Sequence, residues 1–73
     1  MDAKVNRLFI TAMEANSWDD IKVAIQSLGK LARSGNSDAA RALRQIAKEH
    51  KNSRGRNLAL GELGGDIGID NIP

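Results

Sequence analysis

Arg41, Arg44, Lys48 and Lys51 follow one another at steps of three, four and three residues, and Arg54 and Arg56 come directly after. On a helix such steps keep side chains on one stripe, so this segment can present a line of cations to an anionic partner. Two partners fit that chemistry. Phosphates of a nucleic acid would release condensed counterions on contact, which makes binding steeply salt-dependent. An acidic protein surface would be attracted and oriented by the same charges. Against nucleic acid stand a formal net charge of only +2 and a stock of aromatics limited to one Phe and one Trp, too few for base stacking. A run of charge with no partner is a solvated helix face.

Other reactive side chains are sparse. The stretch Lys51-Asn-Ser-Arg-Gly-Arg56 reads as a turn between helices. A basic loop before a helix can hold an anion through backbone N–H groups, but this one lacks the Gly-Lys-Ser/Thr of a phosphate loop. His50 is expected at the end of a helix, partly buried, with a structural hydrogen bond. Glu14 and Glu49 recur at matching positions, which suits structure better than acid–base work. No nucleophile–base pair is legible. With no cysteine and one histidine, thiolate and multi-histidine metal sites are excluded. The chain is therefore expected to be noncatalytic and to carry no cofactor.

Phe9, Met13 and Trp18 form the candidate apolar contact patch. Tryptophan is over-represented at interface hot spots, and Trp18 is expected at a helix start. The competing role is packing, since Phe and Met at helical spacing usually fill a core and Trp18 can staple the start of its helix.

These side chains depend on elements that repeat. A shift of 35 residues lays Leu8 on Leu43, Ala12 on Ala47, Glu14 on Glu49, Ala24 on Ala59, Leu28 on Leu63 and Gly29 on Gly64. Fixed-period self-similarity of this length indicates stacked helical pairs. The same shift lays Phe9 and Met13 on Arg44 and Lys48, so one helical face is apolar in the first repeat and basic in the second. A packing role common to both repeats does not explain that difference.

The periodicity predicts a first helix over 3–15, capped by Asp2, with Val5, Leu8, Phe9, Ala12 and Met13 on one side. A second helix is predicted from Trp18 or Asp19 to Arg33, opened by a capping box of Ser17 and Asp20 and closed by Gly35 in the left-handed conformation. Its buried stripe is Ile21, Ala24, Ile25, Leu28, Leu31 and Ala32. A third is predicted over 38–50, capped by Ser37, with Ala39, Ala40, Leu43, Ile46 and Ala47 inward. The fourth is the weakest, built on Leu58, Ala59, Leu60 and Leu63, interrupted by Gly61 and stopped at Gly64-Gly65. The expected organisation is one helical-repeat domain over 1–64 and a non-helical tail over 65–73, in which Ile67, Ile69 and Ile72 either cap the stack or fray.

Composition supports an ordinary soluble protein, 41% hydrophobic and 27% charged. No apolar run approaches the roughly 18 residues of a membrane span. Met-Asp-Ala-Lys-Val at the N-terminus lacks the order of a secretion signal, so a cytoplasmic location is expected. Charge is unevenly placed: residues 41–56 hold six basic side chains and one acid, and residues 57–73 hold three acids and no base.

The segments Leu28-Gly-Lys-Leu-Ala-Arg-Ser-Gly-Asn-Ser-Asp-Ala-Ala-Arg-Ala-Leu43 and Arg56-Asn-Leu-Ala-Leu-Gly-Glu-Leu-Gly64 resemble the HEAT-like repeats, the short variety also found in phycobilisome lyases. Ile21-Lys-Val-Ala-Ile-Gln-Ser-Leu-Gly29 occupies the same frame, with Ile21 where the family usually has arginine. The resemblance covers residues 3–64 and implies a right-handed stack of antiparallel helix pairs used as a protein-binding scaffold, with no catalytic residues. Two repeats are fewer than the three or more that usually suffice for stability, which points to dimerisation, capping by the tail, or a compact four-helix bundle. The combined expectation is an all-α domain of four short antiparallel helices whose core is Leu8, Ala12, Ile21, Ala24, Leu28, Leu43, Ile46, Ala47, Ala59 and Leu63. Its expected role is a small adaptor or inhibitor that binds a larger protein. A nucleic-acid-associated regulator and a structural homodimer are the alternatives.

Overall fold

The first helix begins where Asp2 turns its carboxylate back to accept from the backbone N–H of Lys4 at 2.8 Å, in a computed structural model that describes residues 2–71 and side chains as far as Gly64. From that cap α1 spans Ala3–Glu14. It ends at Ala15, whose extended backbone leaves the helix while its N–H still bonds the Thr11 carbonyl. Helix α2 spans Trp18–Arg33, with Asp19 and Asp20 in its first turn and Lys30 and Arg33 in its last. These charges complement the helix dipole. The expected capping box is not formed, because the Ser17 side chain makes no capping bond.

The α2–α3 connection is a Schellman turn. Asn36 N–H bonds the Leu31 carbonyl at 3.0 Å and Gly35 N–H bonds Ala32 at 3.1 Å, with Gly35 at φ 103°. Only glycine adopts that backbone without strain. Asn36 then serves the next helix as well: its side-chain oxygen accepts from Ala39 N–H at 3.0 Å. Helix α3 consequently spans Ser37–Glu49, and its cap is Asn36 rather than Ser37, which becomes its first residue.

Helix α4 spans Ser53–Asn71, which corrects two expectations. It starts well before Leu58, because Asn52 Oδ1 caps it by accepting from Arg54 N–H at 2.8 Å. It also runs helical through Gly64-Gly65, so no non-helical tail begins at residue 65. Each glycine costs a helix only about 1 kcal/mol, no proline intervenes before Pro73, and Gly64 keeps a negative φ. The capping role considered for Ile67, Ile69 and Ile72 concerns side chains outside the described residues.

Two hairpins result, α1–α2 and α3–α4, each joined by three residues, which forces neighbouring helices to be antiparallel. α1 lies beside α3, α2 beside α4, and α2 also packs on α3. Three contacts set the direction. Asp2 N–H points to the Asp38 carboxylate (3.4 Å) at the starts of α1 and α3. The Arg54 guanidinium sits over the Trp18 ring, 4.4 Å from its centroid, at the starts of α4 and α2. Arg33 pairs with Glu62 at 2.9 Å further along both. α1 is thus parallel to α3 and α2 to α4, and the second hairpin lies alongside the first in the same orientation. The fold is all-α, four helices and no strand among the described residues.

The core consists of Val5, Ala12, Ile21, Ala24, Ile25, Leu28, Ala39, Ala42, Leu43, Ile46 and Ala59. Of the expected core residues, Leu8, Ala47 and Leu63 are only partly buried at its edge. Small residues let α2 and α4 approach: a Cβ at Gly29 would overlap the Glu62 side chain. His50, expected to be partly buried, is buried completely, and both ring nitrogens have partners. Asn52 N–H donates to Nδ1 at 3.0 Å, and Nε2 lies 2.7 Å from the Ala12 carbonyl. The proton therefore sits on Nε2, the assignment that satisfies both bonds.

Candidate protein-binding groove

The six basic side chains singled out in the sequence do not form one surface. Arg41, Arg44 and Lys48 stand exposed on the outer stripe of α3, and Lys51 is exposed in the connection after it. Arg54 is exposed as a residue, with its guanidinium over the Trp18 ring. Arg56 is half-buried, and its guanidinium donates to the carbonyl of His50, the residue that ends α3. Arg56 therefore caps α3. The stretch read as a turn between helices, with an anion-binding loop as its alternative, shrinks to a short bend, since Ser53, Arg54, Gly55 and Arg56 are the first turn of α4 and the Arg54 N–H is already taken by Asn52.

Phe9, Met13 and Trp18 are half-buried and packed against the core. α1 meets both α2 and α3, so its inward face has cover on two sides. The apolar surface beside the basic stripe comes from α4 instead. Between α3 and α4 lies an open groove of about 360 Å³, lined by Ala47, Leu60 and Leu63 with Arg44 and Lys48 at its edge. Leu60 is 49% exposed, a large apolar side chain held at the mouth of a groove by helix geometry rather than by chance.

Three-and-four-residue spacing produces the arrangement. Arg44, Ala47 and Lys48 share one stripe of α3, and Leu60 and Leu63 share one of α4. Packing of Leu43 and Ile46 into the core turns Arg44 and Lys48 outward at the groove's rim. On the far side of Leu63, Glu62 is held by Arg33, which keeps its charge engaged away from the two rim cations. The groove thus combines desolvatable apolar area with two positive charges that form no ion pair among the described residues, suited to holding a ligand that is apolar on one side and acidic at its border.

The contribution of Leu60 escaped the sequence reading, where it counted only as helix-compatible. A signal existed: the 35-residue shift lays Leu60 on Ile25, a residue of the buried stripe.

No protein-family model matches the chain, and neither the curated proteins nor the solved structures contain a match. No described helix is long and apolar enough to cross a membrane.

Proposed function

We propose that this protein is a small noncatalytic protein-binding module, an adaptor or inhibitor, that holds an acidic partner in the α3–α4 groove. One observation carries the reading: Arg44 and Lys48 border a groove whose lining is apolar and whose Leu60 is exposed. The cations attract and orient a partner, while burial of Leu60 and Leu63 slows its departure. At about 25 cal/mol per Å² of apolar area removed from water, even partial coverage of two leucines contributes on the order of 1–2 kcal/mol. The HEAT-like resemblance of residues 3–64 implies a scaffold rather than a catalyst, and two antiparallel hairpins are compatible with it. A purely electrostatic partner such as nucleic acid would leave Leu60 unexplained.

The test is affinity capture from a lysate of the source organism, with nuclease treatment, using the native chain beside the double variant Arg44→Glu/Lys48→Glu. A stoichiometric protein that survives nuclease and is lost with the variant supports the reading. Retention of material only before nuclease treatment overturns it in favour of nucleic acid.

A further inference from the structure

We infer that the groove seats an amphipathic α-helix of the partner, acidic along its flank, in the position that α3 occupies on the first hairpin. The inference rests on the protein-binding reading above and narrows it to one kind of ligand. The molecule contains its own template for the complex. On the first hairpin Ala12, Ile25 and Leu28 are completely buried, and the helix that packs on both members of that hairpin is α3. Thirty-five residues later stand Ala47, Leu60 and Leu63, which are the apolar lining of the groove. The second hairpin, lying alongside the first in the same orientation, repeats toward solvent the relief that the first presents to α3.

The form of the occupant follows from α3 itself. Its buried residues, Ala39, Ala42, Leu43 and Ile46, fall at i, i+3, i+4 and i+7, the spacing by which a helix lays one face into a groove. Two of the four are alanines, which permit close approach. The charge of the occupant follows from the difference between the repeats. Phe9 and Met13 in the first hairpin are replaced by Arg44 and Lys48 in the second, so the docked helix must carry carboxylates where it passes α3.

A second copy of this chain does not meet these demands. Stacked head to tail, its α1 would take the place of α3, and the 35-residue shift puts Lys4 and Arg7 where α3 has Ala39 and Ala42. Both are exposed cations, and stacking would take them out of water at positions that α3 fills with alanine. That desolvation disfavours a second copy. The open end of the stack is thereby protected from its own kind and left available to an acidic helix.

The probe is a capped peptide with the sequence of residues 36–49 and the substitutions Arg41→Gln, Arg44→Gln, Gln45→Glu and Lys48→Gln, which keeps the buried pattern of α3, neutralises its outer stripe and adds a carboxylate to the flank of Asp38 and Glu49, the side that meets α1. Its controls are the same peptide with Asp38→Lys, Gln45→Lys and Glu49→Lys and a scrambled peptide of the acidic composition. Titration into the isotope-labelled full chain, followed by amide shifts and by peptide helicity, should show the acidic peptide binding at least tenfold tighter than either control. Shifts should concentrate at Ala47, Lys48, Leu60 and Leu63. Leu60→Glu and Arg44→Glu/Lys48→Glu should each weaken it tenfold or more, and the double variant should gain binding of the lysine-flanked control. All three positions are exposed, so the variants are expected to fold, which circular dichroism checks. Equal binding of the scrambled peptide, or indifference to Leu60→Glu, overturns the helix while leaving an acidic partner in place. Absence of peptide binding overturns it too, and the lysate capture then decides separately whether the wider reading survives. A mass that doubles with concentration and reverts in Leu60→Glu would make a second copy the occupant and overturn the inference.

Discussion

His50 Nε2 lies 2.7 Å from the carbonyl oxygen of Ala12, so the residue that ends α3 also caps α1. Ala12 is among the last four residues of its helix, whose carbonyls have no intrahelical donor. The imidazole supplies one across the hairpin interface. At the same time Nδ1 accepts from Asn52 N–H, in the connection that launches α4. One side chain thus ties the end of the first hairpin's outer helix to the turn of the second. The repeat has Ala15 at the matching position, so this link exists once and joins the two hairpins.

His50→Ala should be among the most destabilising substitutions in the chain. It leaves a buried carbonyl and a backbone N–H short of a partner and opens a cavity, together costing about 2–4 kcal/mol. Urea unfolding should show a lower midpoint at similar slope. A loss below about 1 kcal/mol would mean that water replaces the ring and that the link is not structural.

Two glycines of α4 should respond oppositely to the same change. A Cβ at Gly55 would meet the His50 ring at 2.7–2.9 Å, whereas one at Gly61 meets nothing within 4 Å. Alanine at either site gains about 1 kcal/mol of helix propensity. At Gly61 that gain should appear as higher stability. At Gly55 overpacking against an immobile ring, about 1–3 kcal/mol, should outweigh it. Thermal melts of Gly55→Ala and Gly61→Ala test the pair, and equal shifts would refute the packing of His50 on α4.

Arg54 over Trp18 provides an optical report on the hairpin interface. The Arg54→Ala change removes a cation–π contact between the starts of α4 and α2, worth about 0.5–1 kcal/mol at so exposed a site. Since Trp18 is the only tryptophan, its emission should change in the folded state while the unfolded spectrum stays constant. Emission identical in both folded proteins would place the guanidinium elsewhere.

Particular residues show what was legible in advance. The 35-residue period and the stripes of α1, α2 and α3 follow from apolar spacing, and their bounds fall within a residue or so of expectation. Local competition decided the caps: Asn36 displaced Ser37 because its longer amide side chain reaches Ala39 N–H while its backbone closes the Schellman turn. The early start of α4 was obscured by Gly55, which reads as a loop residue until His50 is seen to occupy the space of its missing side chain. Arg56 and Arg54 read as free cations because their partners, the His50 carbonyl and the Trp18 ring, lie on other helices. Phe9 and Met13 likewise acquire cover from tertiary neighbours. Linear spacing places side chains on a face, but the neighbour across that face depends on how the hairpins stack.

That same stacking supplies the sharpest comparison available within one chain. Ile25 and Leu60 are matched by the repeat, yet the first is 0% and the second 49% exposed. Ile25→Ala should therefore cost about 2–4 kcal/mol, for lost transfer energy and a cavity that its neighbours cannot collapse into. Leu60→Ala should stay within about 0.5 kcal/mol, as substitutions away from packed features do. A docked partner reverses the second result but not the first: with the acidic helix bound, Leu60 is buried like Ile25, and its truncation should weaken the complex by a factor the free protein's stability does not reveal. Chemical denaturation with and without saturating acidic peptide measures both. If Leu60→Ala destabilises the free chain as much as Ile25→Ala does, the groove is closed in solution and Leu60 belongs to the core.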